Sequence, residues 1–142
     1  MTSQSKHFSF KLVATVFAFL ICISSEGQDK IVRKELMTAD IGDRVIKKVD
    51  AREINFQPGQ KAGYHKHPCP VVGYIVSGSV SFQVEGDTLK TLKAGDAFFE
   101  PANMPIVHFD NTSETEPLRF VAYYLLNKET ELIQMLPSKS KD

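Results

Sequence analysis

The sequence has only two cysteines, no excess of either charge and no apolar run long enough to span a bilayer. Lys plus Arg number 17, as do Asp plus Glu. A chain of zero net charge has no electrostatic basis for wrapping nucleic acid or lying on an anionic membrane surface. Basic tracts, acidic tails and internal repeats are missing, as are motifs for a nucleotide, flavin or haem. The longest apolar stretch, Leu12 to Ile23, has 12 residues, against the roughly 20 that a bilayer core requires. Lys6 and Lys11 precede it, no acid occurs before Glu26, and Ser24, Ser25, Glu26 and Gly27 follow. Positive, then apolar, then small is the layout of a secretory signal peptide. Cleavage ahead of Gln28 then exports the chain, to the periplasm or outside the cell, with no stable membrane anchor. His7 belongs to that leader. The bulky Ile21 before Cys22 argues against lipoprotein processing. Loss of residues 1–27 leaves 15 basic and 16 acidic residues and one cysteine, Cys69. A lone cysteine excludes an intramolecular disulfide framework. In an oxidising compartment it is buried, paired with another chain, or functional.

What remains is enough for one domain, 28–137 with its core at 45–126, followed by a polar tail, 138–142. Its pattern is strands and turns. Val45 to Phe56 is rich in β-branched residues, and its alternation changes phase near Arg52, which predicts a bulged strand or two short ones. Pro58-Gly59 closes it. Val72 to Val76 is a second strand, stopped by Ser77-Gly78. Val80, Phe82 and Val84 share one face of a third strand, which turns at Gly86-Asp87 and returns through Thr88 to Leu92. Ala97 to Glu100, Ile106 to Phe109 and Leu118 to Leu126 complete the set. Short strands punctuated by Gly, Pro and Asp indicate an all-β sandwich or barrel. Glu129 to Leu136 could form one or two helical turns packed on the barrel or on a second copy. Leu118 to Leu126 is apolar on both faces, which also allows a homodimer.

The chemistry-bearing residues are few. In His65-Lys66-His67 the imidazoles are two apart, so on a strand they share a face and can reach one ion. Imidazole suits Zn, Fe, Ni and Cu. His108 lies on a later strand. If the sandwich brings it to the pair, three protein ligands leave open positions, the form of a catalytic site. Cys69 reads either as a further ligand or as a small buried apolar residue between Pro68 and Pro70. Glu100 is either a solvated outer-face residue or a carboxylate for the site. Tyr64, Tyr74, Phe82 and Met104 could line a pocket, or simply be core. Asn111-Thr112-Ser113 matches a glycosylation sequon, but Asn111 in a polar turn reads first as a turn former.

Pro58-Gly59, His65-x-His67 and then Gly78 resemble the first motif of the cupin superfamily. Gly95-Asp96 through Pro101, His108 and Asn111 resemble its second. Leu36 to Asp40 and Thr115 to Leu126 are similar to the flanks of small single-domain cupins. The resemblance implies a double-stranded β-helix, or jelly-roll barrel, that often carries one divalent metal (Fe, Mn, Ni, Cu or Zn) in its mouth. It also implies a metal-dependent enzyme on a small polar molecule, dioxygenase-like or isomerase-like, or else a non-catalytic module that binds a small ligand. Two departures stand out. The first motif usually has a carboxylate three or four residues after its second histidine, where this chain has Val71 and Val72. The second motif's glycine is Asn103, and Ile106 occupies the position of its histidine, with His108 two residues later.

Overall fold

The computed structural model describes residues 30–137. The leader and the polar tail of the sequence reading lie outside them. The folded unit begins at Lys34. Among the described residues its elements are nine strands: β1 Lys48–Phe56, β2 His65–Lys66, β3 Val71–Ser77, β4 Ser79–Val84, β5 Lys90–Lys93, β6 Ala97–Glu100, β7 Pro105–Asn111, β8 Leu118–Leu126 and β9 Gln134–Met135. They form a four-stranded sheet, β1-β8-β3-β6, and a five-stranded sheet, β5-β4-β7-β2-β9, with every named pairing antiparallel. This is the expected all-β jelly-roll sandwich.

Alternation along the strands builds the core between the sheets. Leu118, Phe120, Ala122, Tyr124 and Leu126 of β8 are buried, as are Val80, Phe82 and Val84 of β4. A ring cluster joins the two sheets: Phe109 of β7 lies 4.8 Å from Phe120 of β8 and 5.0 Å from Phe98 of β6, centroid to centroid. Phe98 has its place because β3 carries a glycine opposite it: a Cβ on Gly73 would stand 2.0 Å from the Phe98 ring.

Two expectations change. β1 has no bulge, for its register against β8 runs unbroken from Lys48–Leu126 to Phe56–Leu118. The phase change at Arg52 is a change in which face is apolar. Asp50 and Arg52 share the inward-facing side with Ile54 and Phe56, while Val49 and Ala51 face outward. The C-terminal segment is not helical. Gln134 and Met135 pair with Lys66 and His65, and the Leu136 amide donates to the Tyr64 carbonyl at 2.9 Å. The unpaired backbone of β2 offers those partners, and Leu132 packs on the core, as its apolar pattern suggested.

The polar turn after β7 is held by Asn111. Its side chain donates to the Gln57 and Glu116 carbonyls and accepts from the Ser113 amide. That is the turn-forming role read from the sequence.

Candidate metal centre

β2 is short because the chain enters it from Gly63 and leaves it at Pro68. His65 and His67 are both buried, 3% and 4% exposed, with ring centroids 5.0 Å apart. Each ring is pinned by its Nδ1. His65 Nδ1 donates to the Gly63 carbonyl at 2.7 Å, and Gly63 reaches that geometry at φ +80°. His67 Nδ1 donates to the Leu132 carbonyl, on the C-terminal segment just before β9. A carbonyl can only accept, so each Nδ1 carries hydrogen and each Nε2 is left for the interior. Fixing the ring through its other nitrogen is how proteins orient metal-binding histidines. The Asn103 amide, in a turn at φ +63°, donates to the His67 carbonyl at 2.7 Å. Asn tolerates this left-handed backbone better than most residues, so it can stand where the motif resemblance places glycine.

The third member is Glu100. Its carboxylate lies 3.0 Å from His67 Nε2, with both side chains 5% exposed. One ligand atom each from His65, His67 and Glu100 fall within 4.8 Å of one another. Glu100 is therefore an inward residue, not a solvated one. It pairs across the sheet with Val71, one of the two positions where the first motif usually has its carboxylate. The acid is present, one strand over. Phe98 and Glu100 share the buried face of β6, but the Phe98-Phe99 doublet conceals that alternation in the sequence.

His108 is not brought to the pair. β4 and β7 slip in register, Gln83 pairing with His108 but Val84 with Ile106. The intervening Val107 is a bulge residue, and a bulge reverses the face of the residues beyond it. Ile106 is inward, fully buried and directly opposite His65. His108 shares the outer face with Gln83 and Asp110, is 42% exposed, and its Nδ1 donates to Asp110 at 2.8 Å. Residues 106 and 108 thus do not share a face.

Other candidates lie elsewhere. Cys69 is fully buried in the hydrophobic core as a free thiol, and burial pushes its pKa up. Tyr64 donates to Glu85, Phe82 packs on Phe98 and Phe109, and Tyr74 and Met104 are exposed. The cavity beside the histidines, about 140 Å³, is lined instead by Phe56, Phe98, Phe109, Phe120, Tyr124 and Ile133 among others. Tyr124, whose ring lies 5.6 Å from His67, is hidden in the sequence by a strand apolar on both faces.

Electrostatics separates the two imidazoles. Burial lowers the pKa of His65, with the Gly63 carbonyl opposing it. Burial acts the same way on His67, but the hydrogen bond and charge of Glu100, with the Leu132 carbonyl, outweigh it and raise the ring above its ordinary value. Burial, with the Glu100 charge, pushes the Tyr124 hydroxyl up to about 12, so it remains a donor at neutral pH.

Residues 52–124 match the cupin domain. The chain belongs to the cupin family. A DMSP lyase from Ruegeria pomeroyi is similar in structure, with a TM-score of 0.56 and 20% identity over 66% of this cupin and 45% of the lyase. A cupin-like protein from Thermotoga maritima gives 0.54 and 22%, over 66% and 68%. A mutant oxalate decarboxylase from Bacillus subtilis gives 0.55 and 22%, over 63% and 24%. This cupin thus spans less than half the length of either enzyme, and at such identity the likeness is one of fold. No curated protein matches the sequence.

If Glu100 rather than His108 completes the ligand set, Glu100→Gln lowers affinity for Co²⁺ or Zn²⁺ by at least about 100-fold, beyond the 10–100-fold typical of losing an outer partner. His108→Ala leaves it unchanged. Competition titration with a chromophoric chelator measures both; the reverse order would reject the assignment.

Proposed function

We propose that this cupin is a mononuclear metalloenzyme, with one divalent ion held by His65, His67 and Glu100, acting on a small molecule in the adjoining cavity. The observation that carries this reading is the convergence of the three ligands on a buried point, both imidazoles pinned by carbonyls. The fit is reasonable. Metal–ligand bonds of about 2.0–2.2 Å put adjacent ligand atoms roughly 3 Å apart, which is the His67–Glu100 spacing of 3.0 Å. The other ligand-atom spacings lie within 4.8 Å.

Two neutral imidazoles and one carboxylate leave a divalent ion one net positive charge and several open positions. That donor set with open sites characterises non-haem Fe(II) oxygenases, so iron and dioxygen chemistry are the favoured assignment, with metal-assisted isomerisation next. An ion here supplies a Lewis acid and, if iron, a redox centre. The chain's own contributions are distinct: Glu100 would offset the ion's charge, the phenylalanines give the cavity an apolar lining, and Tyr124 offers a hydroxyl proton beside the ligands. Fold neighbours named as a lyase and a decarboxylase support an enzymatic use of the barrel, but their substrates do not transfer.

The test is reconstitution of the full chain with Fe, Mn, Ni, Cu and Zn, followed by oxygen uptake with small enols, thiols and phenols. About one ion per chain, with turnover lost in His67→Ala, is the expected result. Failure to retain any metal rejects the metalloprotein. Retention without turnover on any substrate makes it a binding module.

We also infer export and homodimerisation. The leader's layout supports the first. The second is supported by an apolar outer face on the four-stranded sheet, where Val49, Tyr74 and Tyr123 are exposed. Protein recovered from outside the cytoplasm of its host is expected to begin near Gln28 and to show twice the chain mass by light scattering. An intact leader, or a monomer, contradicts the corresponding inference.

A further inference from the structure

The inward side chains of the four-stranded sheet lie in cross-strand rows. Asp50, Tyr124, Val71 and Glu100 form one row, and Arg52, Ala122, Gly73 and Phe98 the next. Ile54, Phe120 and Ile75 form the third, and Phe56 and Leu118 the last. Polarity falls from row to row. The facing sheet repeats the trend, with His65 opposite Ile106 and then Phe82 opposite Phe109. The cavity therefore has a polar end made by the ligands and Tyr124, and an apolar end made by phenylalanines. Its volume of about 140 Å³ is close to that of an apolar protein cavity known to take benzene, about 150 Å³. Among the described residues no Lys or Arg lines it. Arg52, in the second row, already directs Nε and Nη2 to Asp50 at 2.9 and 3.2 Å.

From this gradient we propose that the site takes a molecule with one anionic donor and a ring-sized apolar body: a phenolate, thiolate or aromatic carboxylate. The inference rests on the metal-centre reading. The donor binds at the His65–His67–Glu100 end, and the body lies against Phe56, Phe98, Phe109 and Phe120. A dianion or a polyol fits poorly, because its second charge or extra hydroxyls would face rings that offer no partner, and burying polar groups unpaired is unfavourable. The sequence points to a small polar molecule, and this lining narrows that to an amphiphilic one.

The experiment uses the full chain loaded with Co²⁺, whose visible spectrum reports ligand binding at the ion. Phenol, thiophenol and benzoate are titrated beside oxalate and gluconate. The expected result is at least ten-fold tighter binding of the aromatic donors. Ala122→Leu, which fills the cavity from the second row, should keep Co²⁺ and lose that preference. Ala62→Leu, at a half-buried lining position, is the substitute if the first variant does not fold. Oxalate or gluconate binding as tightly as benzoate, or filled variants that bind benzoate normally, would overturn the ligand class and leave the metal centre standing. Failure of the unmodified chain to take up Co²⁺ would overturn both, and the metal titration alone reveals it.

Discussion

A buried carboxylate must be compensated, and Glu100 sets that requirement for this fold. It is 4% exposed, and its ion-pair partner among the described residues is His67. Leaving such a group without a partner in a low-dielectric interior would cost several kcal/mol, so an inward Glu on β6 needs a polar group beside it, and His67 Nε2 stands 3.0 Å away. The His67 ring supplies that partner, and on the metal-centre reading a bound ion would supply it together with the second imidazole. The backbone around the pair serves that geometry: the Gly63 and Leu132 carbonyls fix the ring orientations, and the Asn103 turn fixes the His67 main chain. The C-terminal segment is thus part of the site, since it extends the sheet beyond β2 and brings the Leu132 carbonyl to His67.

Relative to its family's first and second motifs, this cupin has redistributed its candidate ligands. Val71 stands where a carboxylate is usual, and the acid comes from its cross-strand neighbour, Glu100. Ile106 stands where a histidine is usual, directly opposite His65. The first exchange keeps a carboxyl group on the neighbouring strand, directly across from Val71. The second puts apolar surface where a ligand is usual, and on the metal-centre reading would leave more of a bound ion's positions open than four protein ligands would. Both changes sharpen the division of the cavity into a charged end and an aromatic end.

Much of the fold was legible because alternation is a direct imprint of a half-buried strand. Leu118 to Leu126 has the bounds read from its residues, and the β4 hairpin face follows from Val80, Phe82 and Val84. The features that escaped depended on tertiary partners. A bulge at Val107 is invisible without the β4 register, yet it alone decides that His108 faces outward. The phase change at Arg52 mimics a bulge, but arises because charged residues occupy the inward face of an edge strand. Leu132 to Leu136 has helix-compatible spacing, and becomes extended because β2 supplies open backbone partners. The histidine pair was legible from its spacing, whereas Glu100 was hidden behind two adjacent phenylalanines and Tyr124 within a strand apolar on both faces.

The metal-centre reading stands or falls on which side chains surround the ion. X-ray absorption spectroscopy of the Co²⁺-loaded full chain counts imidazole and oxygen ligands directly. Two imidazoles with the remaining scatterers oxygen, and an unchanged imidazole count in His108→Ala, are the predicted result. A third imidazole that disappears in that variant would contradict the placement of Glu100 at the centre of the site.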